Sequence, residues 1–353
     1  MGVANYAKVY ARIRARVGAL VDEGRIRELV EARPSDFLPA LLDTAYKEQL
    51  TKSGVTTLDA RRIEQSLKAE LIDQYLMVLR STRGAIRDVF EELLRRLEVK
   101  NLKALIRAQA SAARTGTTKA VHVYPVEDYF KRRLSRLVDA KSLADLIAQL
   151  ESPYQEVLEP VFPEYEATQR LLVLENALDA DILGSIWAKL ERLGRVDEAL
   201  VRRIVGTEVD IVNLMTLLRC KAEEDIPVST MQSYLLPFAY TLDFRADELE
   251  VVVEAESVAA AIRALSASEY KDVLSKSLPV YESERSLLPF EDALWRQFFG
   301  TVRTTLKGYP INIGTIIGFL YLKELEIRNL STIAVGKSNN LPSDELAKLV
   351  LGV

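Results

Sequence analysis

The chain has 353 residues, 48% apolar and 28% charged, with a formal net charge of −4 at pH 7. That is an ordinary globular composition, long enough for two or three domains and a sizeable core, and its mild acidity argues against nucleic acid as the main partner, because phosphate needs a basic face. One cysteine, Cys220, and one histidine, His122, exclude an intrachain disulfide and zinc sites built from Cys and His.

In chain order, the opening MGVANYAKVYARIRARVG lacks the apolar core of a secretory signal. Its basic cluster YARIRAR (10–16) fits a solvated helix face or an edge toward lipid headgroups. Ile26, Leu29 and Val30 fall at i, i+3, i+4, as expected of an amphipathic helix; Leu67, Leu71, Ile72, Tyr75 and Leu76 repeat that stripe, as do Leu93, Leu94 and Leu97. RPSD (33–36) predicts a helix start capped by Ser35 or Asp36. ARTGTTK (113–119) and EEDIPVST (223–230) predict loops that divide the chain into thirds. The best strand candidates, KAVHVYPV (119–126) and ELEVVVEA (248–255), find no obvious partner runs. His122 reads as a loop or edge histidine, and Cys220, in NLMTLLRCK, as a small buried hydrophobe on a helix. YFKRRLSR (129–136) is a second basic cluster. PINIGTIIGFLYL (310–322) is cut by Lys323 and Glu324 and too short to span a bilayer; its INIGTIIGFLYL (311–322) reads as a buried core helix rather than an exposed apolar docking patch. The fold class expected is all-α, with no transmembrane segment.

The thirds are related. TAYKEQL (44–50), SPYQEVL (152–158) and SEYKDVL (268–274) share a tyrosine: Tyr46, Tyr154 and Tyr270. Glu64, Glu175 and Glu291 follow those tyrosines by 18, 21 and 21 residues, and Asn101, Asn213 and Asn329 follow the glutamates by 37, 38 and 38. Three landmarks in one order, three times, predict a triplicated helical unit with domains at 1–116, 117–227 and 228–353. NLSTIAVGKSNN (329–340) is then the third Asn-Leu helix rather than a phosphate loop: Ser331 stands where such a loop needs its first glycine. Gly336 is expected to cap that helix, and Ser343 to cap the last one.

Three residues before each asparagine, hence beside it on a helix, stands an acid: Glu98, Asp210 or Glu326. Each acid–amide pair could be a helix-packing device, with Arg107, Arg219 and Lys323 as candidate partners, or the three pairs could converge on a pseudo-threefold axis and line a polar cavity. The acids lie a whole domain apart with no adjacent nucleophile or metal cluster, and no glycine-rich cofactor turn exists, so an enzyme is disfavoured.

The repeats, together with GFLYLKELEIRNLSTIAVGK (318–337), LPFEDALWR (288–296) and NYAKVYARIRARVGALV (5–21), resemble the C subunit of archaeal and bacterial A-type or V-type rotary ATPases, whose eukaryotic counterpart is the d subunit of the vacuolar pump. The resemblance implies three similar helical domains in a pseudo-threefold, funnel-shaped arrangement. It implies a non-catalytic central-stalk rotor component, peripheral on the cytoplasmic side, that couples the central axle subunits to the membrane rotor ring of proteolipid subunits. It implies no cofactor, metal, nucleic acid or small-molecule substrate. Carried over by position, Glu98, Asn101, Arg107, Asp210, Asn213, Arg219, Glu326 and Asn329 would be partner-binding residues of the inner wall. Copy three departs from this pattern with Val335 in place of an arginine, and copy one is three residues shorter between Tyr46 and Glu64. A generic helical scaffold with another partner is the alternative.

Overall fold

The computed structural model describes residues 4–116, 121, 123–223, 226–242, 249–265, 269–307 and 311–351, and among them there is no strand. Each third places short helices ahead of a long helical hairpin. In the first, α1 (Ala4–Val17), α2 (Glu23–Glu31), α3 (Pro34–Leu42) and α4 (Lys47–Lys52) precede α5 (Ala60–Ser81) and α6 (Gly84–Thr115). In the second, α7 (Glu127–Phe130), α8 (Leu143–Ala148), α9 (Tyr154–Leu158) and α10 (Phe162–Thr168) precede α11 (Leu171–Leu190) and α12 (Arg195–Ala222). In the third, α13 (Val228–Ser233), α14 (Glu250–Glu254), α15 (Val258–Ala264) and α16 (Lys271–Glu284) precede α17 (Leu288–Lys307) and α18 (Ile313–Ser338), and α19 (Ser343–Leu349) closes the chain.

The long helices begin where local chemistry allows. Asp59 and Asn312 accept from the backbone N–H groups of Arg62 and Thr315, at 3.1 and 3.0 Å, and so satisfy orphan donors of α5 and α18. Ile63, Leu67, Leu71, Tyr75 and Val78 form the buried stripe of α5. By contrast α18 is apolar almost all round, the pattern of a helix covered on every side; it packs against α1, α2, α3, α5, α12 and α17. INIGTIIGFLYL is thus a core segment, as its composition suggests, and Cys220 is buried in α12.

The packing of the hairpins is cyclic. The first helix of each hairpin lies along the second helix of the preceding third: α11 on α6, α17 on α12, and α5 on α18. The last of these contacts joins the two ends of the sequence.

Several local expectations fail for identifiable reasons. In ELEVVVEA, residue 248 lies outside the described residues, and the remainder forms no strand: its valines sit on α14, where Val252 and Val253 are buried. In KAVHVYPV, residues 119, 120 and 122 lie outside the described residues, so the reading of His122 does too, and the remainder forms no strand. α3 starts at Pro34, whose fixed φ suits the first helical position, with Arg33 rather than Ser35 or Asp36 as N-cap. Gly336 does not end its helix. α18 runs through Gly336, Lys337 and Ser338 to an Asn339 cap, and a Cβ at 336 would lie 2.5 Å from Leu346 Cδ1. The glycine admits α19, rather than turning the chain. Ser343 is the first residue of α19, behind Pro342 as cap, and its hydroxyl receives a hydrogen bond from Lys337.

Candidate functional site

The repeated landmarks meet one another across the three junctions. The Tyr46 hydroxyl donates to Glu326 Oε1 at 2.5 Å, Tyr154 to Glu98 Oε2 at 2.6 Å, and Tyr270 to Asp210 Oδ2 at 3.0 Å. Each tyrosine therefore reaches the acid of the preceding third, and the order closes on itself. All six side chains are buried. Burial above all, and then the facing carboxylate, pushes each of these tyrosine hydroxyls well above its ordinary range.

Each acid is balanced differently. Glu98 takes a bidentate pair from Arg132, at 3.0 and 2.7 Å. Glu326 takes the buried ammonium of Lys323 at 2.9 Å and the backbone N–H of Val21. Asp210 accepts the N–H groups of Tyr240, Thr241 and Leu242, at 2.9, 3.0 and 3.2 Å, and the Thr241 hydroxyl at 2.7 Å. Three backbone donors stand there in place of a cation and satisfy the buried carboxylate. The shorter Asp needs its cradle close, and Gly206 one turn earlier on α12 supplies the room: a Cβ there would lie 2.9 Å from Tyr240 Cβ.

The asparagines act as clamps. The side-chain amide of Asn101 donates to the carbonyl of Tyr124 and accepts its N–H, at 2.8 and 2.7 Å. Asn213 does the same to Leu236 at 2.9 and 2.7 Å, and Asn329 to Leu351 at 2.9 and 3.1 Å. In two thirds the pinned segment leads on into the next third. In the last it is the C-terminal segment.

What faces the middle is the opposite side of the same helices. Residues two apart on a helix point about 200° apart, and two positions before each acid stand Arg96, Glu208 and Glu324. These three equivalent positions touch. Arg96 Nη1 pairs with Glu208, and Nη2 with Glu324 at 2.9 Å; Lys100 also pairs with Glu324. The Tyr321 hydroxyl accepts from Arg96 at 2.8 Å and donates to Glu208 at 2.6 Å. Burial pushes the Glu324 carboxyl up, but Lys100 and Arg96 outweigh it and hold it below its ordinary value.

This cluster closes the inner end of a cavity of about 800 Å³ lined by residues of α5, α6, α11, α12, α17 and α18, one hairpin from each third. Its walls alternate apolar residues such as Val99, Val212, Trp295 and Phe299 with charges, among them Lys103, which meets Asp179 at 2.6 Å. Burial outweighs Lys103 at Asp179 and lifts that carboxyl above its ordinary value. About three turns farther along α6 and α12, outside the cavity lining, Arg107 forms a bidentate pair with Glu175 at 2.6 and 2.5 Å, and Arg219 meets Glu291 at 3.0 Å. The third such position holds Val335 and Glu64, and Glu64 pairs with Lys68 at 2.7 Å.

The eight expected inner-wall residues therefore divide. Glu98, Asn101, Asp210, Asn213, Glu326 and Asn329 are buried at the junctions and occupied within the chain, so the packing-device alternative describes their contacts. Arg107 and Arg219 stay half exposed and bind not the acids but the glutamate landmarks of the next third; Lys323 does pair with its acid. The residues that meet centrally, Arg96, Glu208 and Glu324, went unrecognised because one arginine and two glutamates do not look like a repeated position. The signal was there: all three stand at the same offset from the aligned asparagines. Of the two basic clusters, Arg132 is spent on Glu98, whereas Arg12 and Arg14 are exposed around buried Ile13. Among the described residues no helix is long and apolar enough to cross a membrane.

Comparison with known proteins gives this arrangement relatives. The profile of the ATP synthase (C/AC39) subunit family matches residues 9–349. The A-type ATP synthase C subunit of Methanosphaera stadtmanae is 29% identical over 98% of the chain and 88% of its own length. That of Methanothermobacter thermautotrophicus is 31% identical, over 94% and 84%. That of Haloquadratum walsbyi is 28% identical, over 96% of each.

Proposed function

The chain belongs to the ATP synthase (C/AC39) subunit family, and on that premise we propose that it is the central-stalk rotor subunit that couples the central axle to the proteolipid ring. It is a structural, non-catalytic subunit of a V/A-type rotary ATPase. In the proposed arrangement its thirds form a pseudo-threefold funnel, the axle seats in the central cavity, and the ring bears on the outer face. The observation that carries this is the cavity itself, walled by a hairpin from every third and closed by Arg96, Glu208 and Glu324.

Torque transmission needs stiffness and grip. Close-packed helices transmit strain rather than absorb it, and here every junction adds a buried tyrosine–acid bond to the apolar packing. Grip needs roughly 1,000 Å² or more of buried interface per partner. The exposed arginines of α1 are candidates for the ring side, and the walls of the cavity for the axle side.

The test is to isolate complexes from cells carrying or lacking this chain, using a tag on the axle. With the chain present, axle and proteolipid ring are expected to come down together; without it, the ring is expected to be lost while the catalytic head stays on the axle. Retention of the ring in its absence would refute the coupling role.

A further inference from the structure

The cavity departs from threefold chemistry on one wall, α18. Among the described residues the cations lining it are mostly spent: Lys68 on Glu64, Lys103 on Asp179, Arg96 and Lys100 on Glu324. Arg328, one turn beyond Glu324, is exposed, and its guanidinium makes no ion pair or hydrogen bond with any described residue. Six residues beyond the repeated asparagine, two thirds carry the pairs Arg107–Glu175 and Arg219–Glu291, outside the cavity lining. The third has Val335 at that position, in the cavity wall and 44% exposed, and Leu349, 47% exposed, also lines the cavity. Arg328 and Val335 are seven residues apart, so they share one face of α18 about 10 Å apart along it.

We propose that the cavity takes the end of a single helix in one rotational setting, with an acidic side chain of that helix on Arg328 and its apolar side against Val335 and Leu349. This rests on the rotor reading above and adds which wall holds the axle and what the axle presents to it. The calibre fits. From Glu324 to Val335 the cavity is roughly 16 Å deep, so the 800 Å³ open to the centres of water molecules give a bore about 8 Å wide, or about 11 Å once a water radius of roughly 1.4 Å is added at each wall, the width of one helix of roughly 10–12 Å and not of two side by side. The charge fits as well. A guanidinium in a half-closed space that feels Glu324 one turn away but pairs with no carboxylate favours a planar carboxylate, which it binds through two parallel N–H groups. An acid and an apolar residue about seven positions apart on the partner helix would meet Arg328 and Val335 together.

The experiment measures binding of the full-length chain to the purified axle subunits of the same complex. The native chain is expected to bind, and Arg328→Glu to raise Kd at least tenfold. Val335→Arg, which gives the α18 position the arginine its counterparts carry in the other two thirds, is expected to raise Kd at least fivefold. The reciprocal changes Arg107→Val and Arg219→Val are expected to stay within twofold. Arg328→Gln, with its thermal melt recorded alongside, separates lost binding from lost fold: weaker binding at an unchanged melt supports the proposal. If the native chain does not bind the axle subunits, the rotor reading itself falls. If it binds but the α18 variants stay within twofold, or the Arg107 and Arg219 variants weaken binding as much, the polarised socket alone is overturned.

Discussion

Tyr46, Tyr154 and Tyr270 each give their hydroxyl hydrogen to a carboxylate from which water is excluded, and that has a pH consequence. Their folded pKa values are raised far above the 10.0 of a free tyrosine. The stability they contribute is therefore complete below about pH 10 and is lost as pH rises beyond it, where the unfolded chain sheds protons that the folded chain keeps. Each contributes a slope of about 1.4 kcal/mol per pH unit above that point. Tyr46→Phe is expected to cost about 1–3 kcal/mol at neutral pH and to flatten the alkaline decline by one such slope, read from urea denaturation at pH 8 through 11.5; parallel curves for native and variant would refute it. At this scale the sequence displayed the players but not the pairings. Spacing showed that Glu98 and Asn101 share a helix face. It could not show that the tyrosine reaching that face comes from the following third, because helical periodicity fixes a direction and names no neighbour.

The helices themselves were legible, since a stripe such as Ile63, Leu67 and Leu71 has only one comfortable burial. Their ends and their glycines were not. Gly336 obeys the local rule for a C-cap and yet lies inside α18, because α19 packs where its side chain would be. Gly206 carries the same lesson to a testable point. In an isolated helix, replacing this glycine with alanine would gain roughly 1 kcal/mol. Here the added carbon would press on the Tyr240 side chain at 2.9 Å and on its backbone nitrogen at 3.1 Å, the very segment whose N–H groups hold Asp210. Gly206→Ala is therefore expected to destabilise the chain by about 1–3 kcal/mol, measured by chemical denaturation. A stabilised variant would mean that the cradle can shift without cost.

For the molecule as a whole, the triplication and its order were readable in the three landmarks, but the way the circle shuts was not. Two junctions are crossed by the continuous chain. The third is held by α5 on α18 and by the contacts that Glu326 and Lys337 make with the first third. Asn329→Ala, which removes the side-chain bonds to Leu351, is expected to speed amide hydrogen exchange over 341–351 by tenfold or more; unchanged exchange there would show that the amide contributes nothing to holding the segment. The central contact of Arg96 with Glu208 and Glu324 carries a consequence for ancestry. Three identical copies assembled about that point would bring three like charges within a few ångströms, a repulsion of several kcal/mol for each pair at an effective dielectric near 20. Within one chain those positions are free to differ, so no homotrimer cut from a single third could rebuild this centre.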